Sequence, residues 1–213
     1  MRLLVLAACA AVLALIAQGQ ASSGPPSISP LIGVYLDFDH IPEGVPVEVM
    51  ERAVESLLKP AGVTLAWRLT GENLGTESFS GLAVLKFKGR CDVNAPRPPS
   101  SFGTLGEVNR LAFTAVSGGS VLPFAEVECD QVRKALSYVA PGTAPLQREQ
   151  ALGLALGRVV AHELYHVLAN SAHHAGDGLA KASELLRDLV SPRELSFDES
   201  SSNAIRNRFL SER

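Results

Sequence analysis

Ala161-His162-Glu163-Leu164-Tyr165-His166 is the stretch whose reading decides this chain. Residues four apart stack on one face of an α-helix, so His162 and His166 are placed to grip one ion together. Glu163 follows one position on, about 100° around the helix axis, from where its carboxylate reaches beside the ion without displacing it. Two imidazole ligands and one neighbouring base is the division of labour behind H-E-x-x-H. The helix begins well upstream. Pro145 opens it, and Leu152, Leu156, Val159 and Val160 form an apolar stripe that runs into His162, Glu163 and His166. The metal face therefore continues the core face, and the site is expected against a sheet rather than out on the surface. The helical pattern breaks after Asn170.

Upstream of this helix the chain reads as alternating strands and helices. Leu31 to Phe38 is a β-type run. Pro46 opens a helix whose apolar residues fall at Val47, Met50, Val54 and Leu57-Leu58, and Pro60 and Gly62 stop it. Val63 to Leu69 and Leu82 to Phe87 are two further strand-like runs. The proline-rich stretch from Gly89 to Gly103 reads as a loop. Leu111 to Val116 and Val121 to Cys129 are strands joined by Ser117-Gly118-Gly119-Ser120, a hairpin turn. Gln131 to Val139 reads as a short helix, and Phe197 to Phe209 as a terminal helix with Ser196 as its N-cap. This order predicts an α+β fold, a mixed twisted sheet packed on helices. The helical crossover between 31–38 and 63–69 makes those two strands parallel. Residues 31–213 read as a single domain.

Residues 1–21 do not belong to that fold. Met1-Arg2 is a short positive n-region, Leu3 to Ala17 an apolar h-region, and Gly19-Gln20-Ala21 a small-x-small end, the pattern of a secretory signal peptide. The apolar run is shorter than the roughly twenty residues of a membrane span, so no stable membrane insertion is expected after cleavage. Ser22 to Pro30 reads as a flexible leader. The expected location is secreted or periplasmic. With 22 acidic against 19 basic side chains, a formal charge of −3 and few aromatics, the chain has no basic stripe, which argues against a nucleic-acid partner. Of three cysteines, Cys91 and Cys129 lie beyond the signal segment and read as a disulfide in an exported protein.

A catalytic zinc usually takes three protein ligands and keeps one position open. Among five histidines, His173 and His174 lie just past the helix end, after Asn170-Ser171-Ala172. A third ligand from this loop is expected, and the two compete, since adjacent residues seldom face one ion together. Asp37, Asp39 and His40, and further on Glu126, Glu128 and Asp130, read as solvated acidic positions and not as a second ion site.

His162 to His174 resembles the zincins, and more narrowly the metzincin-type peptidases, which continue H-E-x-x-H with a turn and a third histidine. The usual metzincin glycine and third histidine fall here on Ala169 and Ala172. A set of secreted bacterial zincin-like proteins reading H-E-x-x-H-L-L-L-G-x-x-x-H-S-x-x-G-I-M is more similar. That register implies His174 as third ligand and puts Gly178-Leu179-Ala180 where Gly-Ile-Met would be, with Ala180 in the methionine position. A weaker likeness to the thermolysin-like pattern N-E-x-x-S-D in Ser183 to Asp188 makes Glu184 an alternative third ligand, beside His173.

The resemblance implies a zincin-like fold and an exported zinc-dependent endopeptidase, with Zn2+ on His162, His166 and His174. Glu163 would be the general base, and a peptide or protein the substrate. It also implies a substrate-binding edge strand, Val121 to Val127 or its hairpin partner. A catalytically silent zinc-binding or partner-binding module on the same fold is the alternative, and a metal-free adhesion or structural domain is a third reading.

Overall fold

The computed structural model describes residues 29–42, 45–72, 76–96, 110–139, 144–181, 186–191 and 195–210. The proposed signal segment, most of the leader, the end of the 89–103 loop and Glu184 lie outside them. Strands β1 (Leu31–Phe38), β2 (Thr64–Leu69), β3 (Gly81–Lys88), β4 (Ala112–Ser117) and β5 (Ser120–Glu128) form one sheet in the order β2-β1-β3-β5-β4. β1 runs parallel to β2 and to β3, and β3 parallel to β5; only β4 pairs antiparallel, with β5. Helices α1 (Val45–Leu58), α2 (Cys129–Val139), α3 (Pro145–Ala169) and α4 (Glu199–Leu210), with short 3-10 turns at Lys59–Ala61 and Leu186–Leu189, complete the described elements.

The strand pleat sorts side chains onto two faces. Ile32, Val34 and Leu36 on β1, Ala83, Leu85 and Phe87 on β3, and Ala125 and Val127 on β5 are all buried on the helix-covered side. The β4–β5 turn places Gly118 at φ 56° and Gly119 at φ 81°. Positive φ at both central residues is what a tight hairpin with the natural strand twist requires, and only glycine adopts it without strain. The register shifts between Thr114 and Val116, so β4 carries an irregularity just before that turn.

α3 runs through the middle of the helical layer and packs on α1, α2, α4 and three strands. Its closest neighbour is α1, and Gly153 and Gly157 explain why. A Cβ on Gly153 would lie 2.6 Å from the Pro46 carbonyl oxygen and from Val49 Cβ, and one on Gly157 would lie 2.6 Å from Ala53 Cβ. Four residues apart, the two glycines form a groove that admits the α1 backbone.

Cys91 and Cys129, both buried, form a disulfide with Cα atoms 5.0 Å apart. It ties the chain just beyond β3 to the first residue of α2. Closing a loop of 38 residues contributes about 4 kcal/mol in the chain-entropy account.

Two sequence expectations are corrected. The last helix starts at Glu199 and is capped by Asp198, whose Oδ1 accepts the Ser201 N–H at 2.8 Å. Ser196 instead lends its carbonyl to the Leu179 N–H at 3.0 Å. Of the two edge candidates, β5 lies inside the sheet between β3 and β4, so among the described strands β4 is the edge on that side. Among the described residues no helix is long and apolar enough to cross a membrane.

Candidate metal centre

The C-terminal half of α3 carries the site, and the chain beyond it closes the site from below. Asn170 takes the left-handed conformation, φ 50°, and ends the helix. This is the one non-glycine residue with positive φ among those described, and asparagine tolerates it better than most. The Ser171 N–H returns to the His166 carbonyl at 3.1 Å, and the chain reverses so that His174 comes back over the helix. A small turn follows. The Ala175 N–H donates to the Ala180 carbonyl at 2.8 Å, while Gly178 sits at φ 72°, where an added Cβ would lie 2.8 Å from the Ser196 carbonyl oxygen. Leu179 and Ala180 within this turn are fully buried.

His162, His166 and His174 converge, with one ligand nitrogen from each, all within 4.8 Å of one another. The His174 ring stacks on His162 at 5.3 Å between centroids and meets His166 edge-on at 4.7 Å. His173 is not part of this group. His166 is buried, His162 half-buried and His174 exposed, so the cluster opens to solvent on the side of His174. No other set of three histidine, cysteine, aspartate or glutamate side chains among the described residues meets in this way. Asp37 and Asp39 instead pair with Lys86 at 3.2 and 3.6 Å, and Glu126 with Lys88 at 3.7 Å.

The hydrogen bonds of the two helical histidines decide their tautomers. His162 Nδ1 lies 2.8 Å from the Leu179 carbonyl oxygen and His166 Nδ1 lies 2.7 Å from the Ser171 carbonyl oxygen. A carbonyl only accepts, so each Nδ1 carries the proton and each neutral ring keeps a bare lone pair at Nε2. Those two Nε2 atoms are 3.1 Å apart. Facing lone pairs at that distance repel unless a cation joins them. Burial pushes the pKa of both rings down, favouring the neutral, ligand-competent form over an imidazolium. Backbone carbonyls that fix the ring and tautomer are the usual supports of metal-binding imidazoles. The donor set thus fits a metal ion.

Glu163 lies beside the cluster with only 6 % of its surface exposed. Burial pushes its pKa up, and the Thr114 hydroxyl, then His166, His174 and Arg110, pull it back. Thr114 Oγ1 donates to Glu163 Oε2 at 2.5 Å and also lies 3.2 Å from the Glu163 carbonyl oxygen. Tyr165 is buried, its ring stacked on Phe197 with centroids 5.7 Å apart and tilted against the His166 ring at 5.3 Å.

Sequence reasoning missed three contributors. Thr114 left a faint signal, as a polar residue in the inward-facing set of an apolar strand. The Leu179 and Ser171 carbonyls left none, because every residue has a carbonyl. Neither a protein-family model nor a curated protein sequence matches this chain.

Proposed function

We propose that this chain is an exported zinc-dependent endopeptidase with a zincin-like active site. What carries the reading is the pair of bare Nε2 atoms 3.1 Å apart, completed by His174 and flanked by a buried carboxylate. Three imidazoles with a solvent-open side suit zinc, which holds catalytic sites with three protein ligands and one free position. Bound there, zinc supplies Lewis acidity, polarising a peptide carbonyl and bringing the pKa of water toward about 7.

The remaining work falls to residues of this chain. Glu163 takes a proton from the attacking water and passes it to the departing amine, the role of a general base that becomes a general acid. The Leu179 and Ser171 carbonyls hold His162 and His166 in register. β4, next to the helix, offers an edge along which an extended peptide adds as a further strand.

The test is metal analysis of the purified chain, followed by cleavage of a broad peptide library. One zinc per chain and cleavage are expected for the wild type. Glu163→Gln should keep the zinc and lose at least about 100-fold in kcat. Zinc without any cleavage identifies the silent module, and no stoichiometric metal removes the zincin reading altogether.

A further inference from the structure

The edge strand reaches the proposed base directly, through Thr114. Resting on the peptidase reading, we infer that Thr114 is a positioning residue that selects one carboxylate oxygen of Glu163 for the reaction. Its hydroxyl has a single proton. At 2.5 Å from Oε2 and 3.2 Å from the main-chain oxygen of the same residue, that proton is directed mainly to the carboxylate. A hydroxyl-to-carboxylate bond of this length is charge-assisted and among the stronger neutral-donor bonds. It occupies Oε2 and leaves Oε1 to exchange the proton with water.

Thr114 is itself well held. A β-branched side chain has restricted χ1 freedom, and the residue is paired with the buried Ala125 of β5 immediately before the irregularity in β4. A glutamate side chain has three rotatable bonds, and its backbone placement on α3 alone does not orient its carboxylate. The threonine removes that freedom from across the sheet. The strand that would receive substrate and the group that would deliver the proton are thereby joined by one hydrogen bond. A substrate strand pairing along β4 acts on the same segment that holds the base.

A purely stabilising bond and a positioning bond separate under three variants. Thr114→Val preserves shape and removes the donor; Thr114→Ser restores it. In the zinc-loaded enzyme, Thr114→Val should lower kcat by about 10- to 100-fold, the scale expected for a misplaced catalytic group, with KM and zinc content near wild type. Thr114→Ser should recover most of that loss. In the metal-free chain, Thr114→Val should lower the melting temperature when Glu163 is present and have no further effect in a Glu163→Ala background. Undiminished kcat in Thr114→Val, or an equal melting shift in both backgrounds, overturns the inference while the peptidase reading stands. Absence of turnover by zinc-loaded wild type overturns both.

Discussion

The two halves of α3 are built on opposite principles. In the N-terminal half Gly153 and Gly157 remove side chains so that α1 approaches to backbone contact. In the C-terminal half His162, Glu163 and His166 extend polar side chains toward partners from the loop, the turn and β4. The first half is held by close packing, which has no direction and punishes any added volume. The second is held by hydrogen bonds, which have direction and punish any lost partner. One continuous helix makes both possible, because the packed half anchors the axis about which the polar half is aimed.

Removing a ligand should break the second half most severely. His166→Ala deletes both a bare Nε2 and the donor to the Ser171 carbonyl. Zinc affinity measured by competition with a chelating dye should fall by more than about 100-fold, since loss of an outer partner alone costs 10- to 100-fold. The α1–α3 packing should survive, so far-UV circular dichroism should stay close to wild type. A large loss of helix would show that the two halves are not separable.

The reciprocal change acts on the first half. Gly153→Ala adds a methyl where a Cβ meets the Pro46 carbonyl oxygen at 2.6 Å. Overpacking of this kind costs about 1–3 kcal/mol, read in urea unfolding. The folded fraction should still bind zinc with the affinity of the wild type. Unchanged stability would mean that α1 moves aside freely and that the glycine groove is not what locates it.

A smaller effect sharpens how the polar half is supported from behind. Asp198 caps α4, next in sequence to the Phe197 that stacks on Tyr165. The Ser201 side chain and its N–H, which donates to Asp198 Oδ1 at 2.8 Å, hold its carboxyl below the usual carboxylate range. A folded-state pKa below the unfolded value gives stability that is present above the unfolded pKa. That stability is lost as pH falls through the folded one, so the cap contributes fully at neutral pH and fades below about pH 4. Asp198→Ala should cost about 1 kcal/mol at pH 7. Asp198→Asn should cost less and flatten the acid limb of the stability profile. An identical acid limb in Asp198→Asn would show that other carboxylates govern it.

Much of this architecture was legible in the chain. The 3.6-residue period announced α1 and α3, Gly118-Gly119 announced the hairpin, and a helical crossover implied that β1 and β2 run parallel. Short apolar runs bounded by turn residues placed all five strands within a residue or two of their positions. The capping residue of α4 was misread because Ser196 and Asp198 are both good caps. Which one serves depends on where the neighbouring turn claims a carbonyl. Strand order was not legible either, and so neither was the identity of β4 as the edge. Order is set by which apolar faces meet, and several orders bury the same alternating pattern.

At the site, the local spacing determined which side chains share a helix face, because the α-helix converts four residues of separation into one stacked pair. Proximity in the chain also brought two histidines to the turn beyond Asn170, but adjacency could not choose between them. Only the resemblance in motif register had pointed to His174, whereas the tautomers imposed by the Leu179 and Ser171 carbonyls and the hold of Thr114 on Glu163 were decided by tertiary structure alone. Each rests on a directional contact between segments far apart or reversed in the chain, and direction exists only once the backbone has been placed in three dimensions.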